Sequence, residues 1–333
     1  MNLAEVAKKA RVSPATVSRV LNDAAPVRAA TRERVMKAVK ELRYHPNLHA
    51  RNLAVSSSRT LGMIASNMEN PFFFDIFRKL ESEAHRRGYE VLVANTDYRS
   101  DQLVNSIRLM LGRRVAGLAV IVSEMQPALI DELADSKVPV VFADVGTPRA
   151  NITNIRVNYT AGVEKVVEYL HSLGHYRMAF IDHHGTLTPI SERKRAFLNA
   201  VARYSPAVEI QTAAGADGPE GGREATQDLL RGGFRPTAII CVNDFMAIGI
   251  LRELRVQRMR VPLDVSVTGF DNIKLSEFCY PSLTTVHIPR DRFGQLVFDI
   301  LVPDPRKPRA AGCEIVIDPE LVVRDSTGPA PKL

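Results

Sequence analysis

Along the first 22 residues the apolar positions recur at helical spacing. Leu3, Val6, Ala7 and Ala10 stand at i, i+3, i+4 and i+7, with Lys8 and Lys9 on the other side. That stripe predicts a short helix. Ser13 is an N-cap residue type and Pro14 stands where a helix best tolerates proline, so a second helix is predicted from there to about Leu21. Val17, Val20 and Leu21 share its inner face, while Pro14, Ala15, Ser18 and Arg19 face away. A loop over 23–30 precedes a third helix whose inward stripe is read as Val35, Met36, Val39 and Leu42. Tyr44-His45-Pro46 closes that helix, because proline biases its predecessor to extended backbone. Asn47 can cap two further turns over 48–54, too short to be stable alone and expected to order only when held. Ser56-Ser57-Ser58 marks a linker.

From Leu61 the period changes. LGMIAS, YEVLVAN, AGLAVIV and VPVVFAD are short runs rich in β-branched residues, separated by helical stretches at 72–87, 102–111 and 128–136. A second series follows, with helices at 161–173, 191–201, 220–230 and 245–254 around the strands RMAFI, AVEIQ, TAIICV and VSVTGF. Alternating strand and helix implies parallel sheets covered on both faces, and two series imply two doubly wound lobes. Ligands in such folds lie beyond the carboxyl ends of the strands, which here means the cleft between lobes.

Charge changes the picture. Residues 1–59 hold twelve Lys and Arg against four acids, a net of +8, whereas the whole chain is +7 and the remainder is therefore −1. A basic headpiece on a near-neutral body attracts a polyanion through counterion release. A membrane surface is the competing polyanion, but the front helices lack the broad apolar face with Trp or Phe that an interfacial helix needs. Two closely joined helices, the second opened by Ser-Pro, read as a helix-turn-helix, against the alternative of an ordinary helical pair with a solvated face. On the outward face small residues allow close approach to base edges, the Arg19 fork suits guanine, and Thr16 and Ser18 suit phosphates.

No apolar run resembles an export signal or a membrane span, so a cytoplasmic protein is expected. Cys241, Cys279 and Cys313 are widely spaced and read as reduced thiols. A P-loop, GxSxG, HExxH and a GxGxxG after a strand are all missing, so no enzyme and no cofactor is expected. His171 and His175 are spaced as H-x3-H but straddle Gly174 with no nearby Cys, so no metal site is expected either.

The chain resembles the LacI/GalR family of bacterial transcription regulators along nearly its whole length. The matching stretches, in order, are VAKKARVSPATVSRVLN, TRERV, LRYHPN followed by ARNLA, ENPFF, LGHYRMAFI, VNDFMAIG, VPLDVSVTGFDN, PSLTTVHI and ELVVRDS. The resemblance implies an all-α helix-turn-helix headpiece at 1–45, a hinge helix and linker at 46–59, and a periplasmic-binding-protein-like α/β core of two doubly wound lobes at 60–333. It also implies a homodimer on palindromic operator DNA. Pro14, Ala15 and Arg19 are thereby assigned to bases, and Ser13, Thr16, Ser18 and Asn22 to the DNA backbone. Asn47, Ala50 and Leu53 belong to the hinge, whose Leu53 would wedge into the minor groove; the competing role for Leu53 is a linker leucine resting on the core.

In the cleft the resemblance points to Phe72, Phe73, Asp144, Arg193, Asn243 and Asp271. Arginine and carboxylates suit a polyhydroxyl ligand and the phenylalanines supply an apolar wall. Other roles stand beside these: turn formation for Asp271, helix capping for Asn243, and a solvated charge for Arg193. Departures from the family pattern are Arg11 where glycine is usual, with an adjusted turn expected, and Arg28 in place of a small N-cap. Asp217 stands at a position where some members place an aromatic platform, Ile288 replaces a common glutamine, and the His183-His184 loop is unusual. The expected function is a DNA-binding repressor controlled by a small molecule between the lobes. A sugar or sugar-acid inducer is the first expectation and a purine-type corepressor the second; a solute-binding protein without DNA function is the remaining rival. With no terminal apolar heptad, dimers rather than coiled-coil tetramers are expected.

Overall fold

The computed structural model describes residues 2–22, 26–44, 58–184, 188–204, 208–304, 306 and 312–332. The chain divides into two compact units, 1–58 and 59–333.

In the first unit α1 (Leu3–Ala10), α2 (Pro14–Asn22) and α3 (Ala29–Glu41) enclose Val6, Ala7, Ala10, Val17, Val20, Val35 and Ala38. Asn2 and Glu5 form a reciprocal capping box, with Asn2 Oδ1 accepting from the Glu5 N–H at 3.0 Å and Glu5 Oε2 from the Asn2 N–H at 3.2 Å. Ser13 Oγ accepts from the Thr16 N–H at 3.2 Å and so caps α2. Two expectations fail here. Met36 is 50 % exposed, and Ala38 takes its place inside. The inward set Val35, Ala38, Val39 and Leu42 keeps the i, i+3, i+4, i+7 spacing, whereas Met36 lies about 100° further round. The turn after α1 is also not adjusted. Arg11 itself takes the left-handed conformation, φ 55° and ψ 49°, and its N–H and that of Val12 close the helix on Lys8 O and Ala7 O. Arg28 precedes α3 without a side-chain cap, and the helix begins two residues earlier than the predicted loop allowed.

The second unit holds two parallel sheets. In the first lobe β1 (Thr60–Ala65), β2 (Glu90–Asn95), β3 (Gly117–Ile121), β4 (Val140–Ala143), β5 (Ile152–Val157) and β11 (Glu314–Ile317) stand in the order β11-β5-β4-β3-β1-β2. In the second, β6 (Arg177–His183), β7 (Glu209–Gly215), β8 (Ala238–Cys241) and β9 (Ser266–Thr268) stand in the order β7-β6-β8-β9. Central strands such as β3, β4 and β8 are buried along their whole length, as strands covered on both faces must be; the edge strands β2 and β7 are not. Crossovers run through α4 (Pro71–Arg86), α5 (Ser100–Gly112) and α6 (Pro127–Asp135) in one lobe. The other lobe uses α7 (Tyr159–Ser172), α8 (Thr188–Ala202), α9 (Pro219–Arg231) and α10 (Asp244–Val256). α9 and α10 cross so closely that a Cβ on Gly222 would collide with the Met246 carbonyl and one on Gly249 with that of Pro219.

The lobes are not consecutive in sequence. β5 was not predicted, because half of ITNIRV is polar and its apolar positions neither run together nor alternate. The C-terminal part also returns across the cleft: α12 (Arg290–Leu301) packs on α4, and β11 pairs with β5. Two three-residue strands, β10 (Thr285–His287) and β12 (Glu320–Val322), pair antiparallel beside the second lobe, and α11 (Leu275–Phe278) is a single turn. The chain thus changes lobe after Val157, after His287 and after Ile317. At the crossings the Asn158 N–H donates to Ile317 O at 2.9 Å, and Asn158 Nδ2 to Asp318 at 2.8 Å. Ile288 at the second crossing is fully buried. Among the described residues no helix is long and apolar enough to cross a membrane.

Candidate functional site

In each lobe the strand order reverses once, between β1 and β3 and between β6 and β8. Such switch points open a crevice at the carboxyl ends of the strands. The two crevices face each other across a cleft of about 590 Å³, open mouth included.

Phe72, Phe73, Asp144, Arg193, Asn243 and Asp271, drawn from separate stretches of chain, all line this cleft. Phe72 and Phe73 open α4 and meet edge to face at 5.3 Å. Asp144 follows β4 at φ 66° and Asp271 follows β9 at φ 103°, so both carboxylates sit on left-handed backbone that costs a non-glycine residue energy. Asp144 accepts from the Tyr159 hydroxyl at 2.6 Å and from the Val157 N–H at 2.8 Å. Burial nevertheless pushes its pKa up to about 6, and burial pushes Asp271 up to about 7. Arg193 is buried and not a solvated charge. Its Nη1 donates to Val242 O at 2.9 Å, its Nη2 lies 3.5 Å from Asp271 Oδ1, and its guanidinium carbon rests 4.3 Å from the Tyr159 ring and 4.6 Å from that of Phe270. Arg193 Nε has no hydrogen-bond partner among the described residues. Asn243 does two things at once: its Oδ1 caps α10 through the Met246 N–H at 2.8 Å, and its Nδ2 donates to Asp217 Oδ1 at 2.9 Å.

Several lining residues were not among the predicted ones. Asp217 Oδ2 accepts from Tyr98 Oη at 2.8 Å and from Asn67 Nδ2 at 2.9 Å, both in the first lobe. Tyr159 holds Asp144, and Asn70, Ser123 and Phe293 complete the wall. His183 is buried with its Nδ1 unpartnered, and burial holds its pKa below the ordinary value. A positional signal could have found most of them. Tyr98, Ser123, Asp144, Tyr159, Asp217, Asn243 and Asp271 each stand within three residues after a parallel strand, and His183 ends one. Beneath Ser123 the buried Glu124 accepts from Ser66 Oγ at 2.7 Å and from Thr96, tying the ends of β1, β2 and β3 together.

Asp244 is outside the ligand surface: it accepts from Ser276 Oγ at 2.6 Å, Thr285 Oγ1 at 2.5 Å and the Ile273 N–H at 2.9 Å, and so holds α10 to the segment after β9. The rings of His171 and His175 are occupied separately, His171 stacked on Tyr204 at 3.8 Å and His175 Nε2 2.9 Å from Gly328 O.

In the headpiece Ser13, Pro14, Ala15 and Arg19 are exposed on α2, with Thr16 and Ser18 partly so. Val17 and Val20 turn inward. Asn22 ends the helix, and its side chain is outside the described set. Asn47, Ala50 and Leu53 lie outside the described residues, as does most of the predicted hinge and linker.

A basic helix-turn-helix unit joined to a two-lobed binding body defines a ligand-controlled transcription regulator. Residues 2–47 match the bacterial regulatory proteins of the lacI family, and residues 167–327 match the periplasmic binding protein-like domain. The chain is 34 % identical over 329 residues to the HTH-type transcriptional repressor PurR of Vibrio cholerae serotype O1, covering 97 % of this chain and 96 % of that one. It is 32 % identical over 324 residues to PurR of Pasteurella multocida, with 97 % of each covered. Among solved structures, the Lac repressor dimer bound to operator and the anti-inducer ONPF superposes with a TM-score of 0.84 at 29 % identity, over 98 % of this chain and 99 % of that one. The chain belongs to the LacI family of bacterial regulatory proteins.

Proposed function

We propose that the protein is a cytoplasmic repressor that binds palindromic operator DNA as a homodimer and is controlled by a carbohydrate-class effector held between the lobes. The exposed face of α2 would read the operator, with Pro14, Ala15 and Arg19 at base edges and Ser13, Thr16, Ser18 and Asn22 at phosphates. Asn47, Ala50 and Leu53 would order on DNA, Leu53 as an apolar wedge. A solved relative that superposes with a TM-score of 0.84 is a dimer on its operator, which supports this assignment.

The observation that carries the effector reading is an apolar wall set among converging polar groups. Phe72, Phe73 and Phe293 supply apolar surface from the first lobe, which also brings Tyr98, Ser123 and Asp144, and the second presents Arg193, Asp217, Asn243 and Asp271. An apolar wall among converging hydrogen-bonding groups suits a ring that is apolar on a face and hydroxylated at its rim. An effector favouring one lobe orientation would move the paired hinge segments together or apart, which couples its binding to the operator's.

Anisotropy titration of a palindromic duplex library with the full chain, at several salt concentrations and with or without a sugar panel, tests the proposal. Sequence-selective, salt-sensitive binding that a sugar alters is expected; indifference to every palindrome and sugar would refute it.

A further inference from the structure

The charges of the cleft do not balance. Asp144, Asp217 and Asp271 face it against the guanidinium of Arg193, the one cation lining it among the described residues. Arg290, which donates to the Asp271 carbonyl, is paired with Asp75 at 3.0 Å, and Lys194 is paired with Asp182 at 3.4 Å. His183 contributes no compensating charge, since its burial disfavours the protonated ring.

Arg193 is also engaged by the protein before any ligand arrives. One N–H of Nη1 goes to Val242 O at 2.9 Å and Nη2 lies 3.5 Å from Asp271 Oδ1, so the guanidinium charge is already set against a carboxylate. Asp217 differs from the other two carboxylates. Asp271 and Asp144 feel Arg193, whereas the hydrogen-bond partners of Asp217 are the neutral groups of Asn67, Tyr98 and Asn243. Its charge is therefore left to meet whatever enters.

Building on the effector reading above, we propose that the ligand is an uncharged or amine-bearing polyhydroxyl compound, and that Asp217 is the residue that rejects the matching acids and phosphate esters. This narrows the expectation of a sugar or sugar acid to the former. Placing like charge against a carboxylate in a desolvated cleft is how a site excludes a near-isostere.

The test is calorimetric titration of the full chain with matched sets of compounds: several sugars, and purines as a non-carbohydrate scaffold, each in neutral, amino, carboxylate and phosphate form. The neutral or amino member of a set should bind at least about tenfold more tightly than its anions. Asp217→Asn should shrink that ratio by about tenfold. A carboxylate or phosphate that binds the natural chain best overturns the charge rule while leaving a carbohydrate effector intact. Selective binding of neutral or amino purines alone overturns the carbohydrate reading and keeps the rule. Silence from the whole panel overturns both. The ratio in the natural chain decides the matter even where Asp217→Asn fails to fold.

Discussion

The carboxylate of Asp217 in the second lobe accepts a 2.8 Å hydrogen bond from the hydroxyl of Tyr98 in the first. Together with the Asn67 bond at 2.9 Å it spans the cleft mouth, so the closed arrangement is held by the protein's own groups. Tyr98→Phe removes one of three donors to the half-buried Asp217, whose Oδ2 keeps only the Asn67 bond, at a cost of about 1 kcal/mol to lobe closure. The unliganded variant should show a larger radius of gyration in X-ray scattering. Identical scattering from the two proteins would show that the clasp does not hold the lobes.

Arg19 is exposed on the outward face of α2, clear of the headpiece core. Arg19→Ala should weaken operator binding by about 1–3 kcal/mol and relax the preference at one base pair of each half-site. Selection from a randomised duplex pool reads this directly. An unaltered preference would place Arg19 on phosphate instead.

Arg11 holds a left-handed conformation at φ 55° that glycine adopts without strain. Arg11→Gly should stabilise the headpiece by about 1 kcal/mol, seen as slower amide exchange at Val6, Ala10 and Val35 in the full chain. The same change removes a cation, so non-specific DNA affinity should fall and its salt dependence flatten slightly.

The fold was largely readable because its signals are local. Helical stripes such as Val6-Ala7-Ala10 and all-apolar strands such as GLAVI announce themselves within a few residues. What escaped was non-local. Nothing within EIVI says that it pairs with β5, some 160 residues earlier, and β5 itself carries the polar Thr153 and Asn154, which only the finished packing buries. The cleft followed the same division. Arg193 reads as a solvated helix charge until Tyr159 and Phe270 are brought beneath it, and Asp217 reads as a loop aspartate until Tyr98 arrives from the other lobe. Arg11 shows the converse: the local cost of left-handed backbone was known, and the rest of the headpiece overrode it.

Gly222 and Gly112 make a controlled pair. Both lie in helices, but a Cβ at Gly222 would strike the Met246 carbonyl of α10, whereas one at Gly112 meets nothing within 4 Å. Gly222→Ala should therefore destabilise the core by about 1–3 kcal/mol or more, since backbone cannot step aside as a side chain can. Gly112→Ala should stabilise it by about 0.5–1 kcal/mol through the lost freedom of the unfolded chain. Urea denaturation of the two variants should move the midpoint in opposite directions, and a shift of the same sign would contradict the close α9–α10 crossing.

The buried carboxylates set a pH dependence whose sign is opposite to that of an ordinary surface ion pair. Burial raises Asp144 and Asp244 to about 6 and Asp271 to about 7, from an ordinary 3.8. Between those limits the folded chain binds protons that the unfolded chain has released, so stability falls as pH rises, by up to about 1.4 kcal/mol per pH unit for each group. The loss is complete once pH passes about 7. His175 and His183, whose burial lowers their pKa, act in the other direction: the unfolded chain takes up their protons first as pH drops below 6.5, which destabilises the fold there. The unliganded protein should accordingly melt at a higher temperature at pH 6 than at pH 8. Asp271→Asn, which cannot ionise, should flatten the slope between pH 5 and 7 and raise the melting temperature at pH 8. A variant as steeply pH-dependent as the natural chain would show that the Asp271 carboxylate is ionised across that range, held so by Arg193 at 3.5 Å.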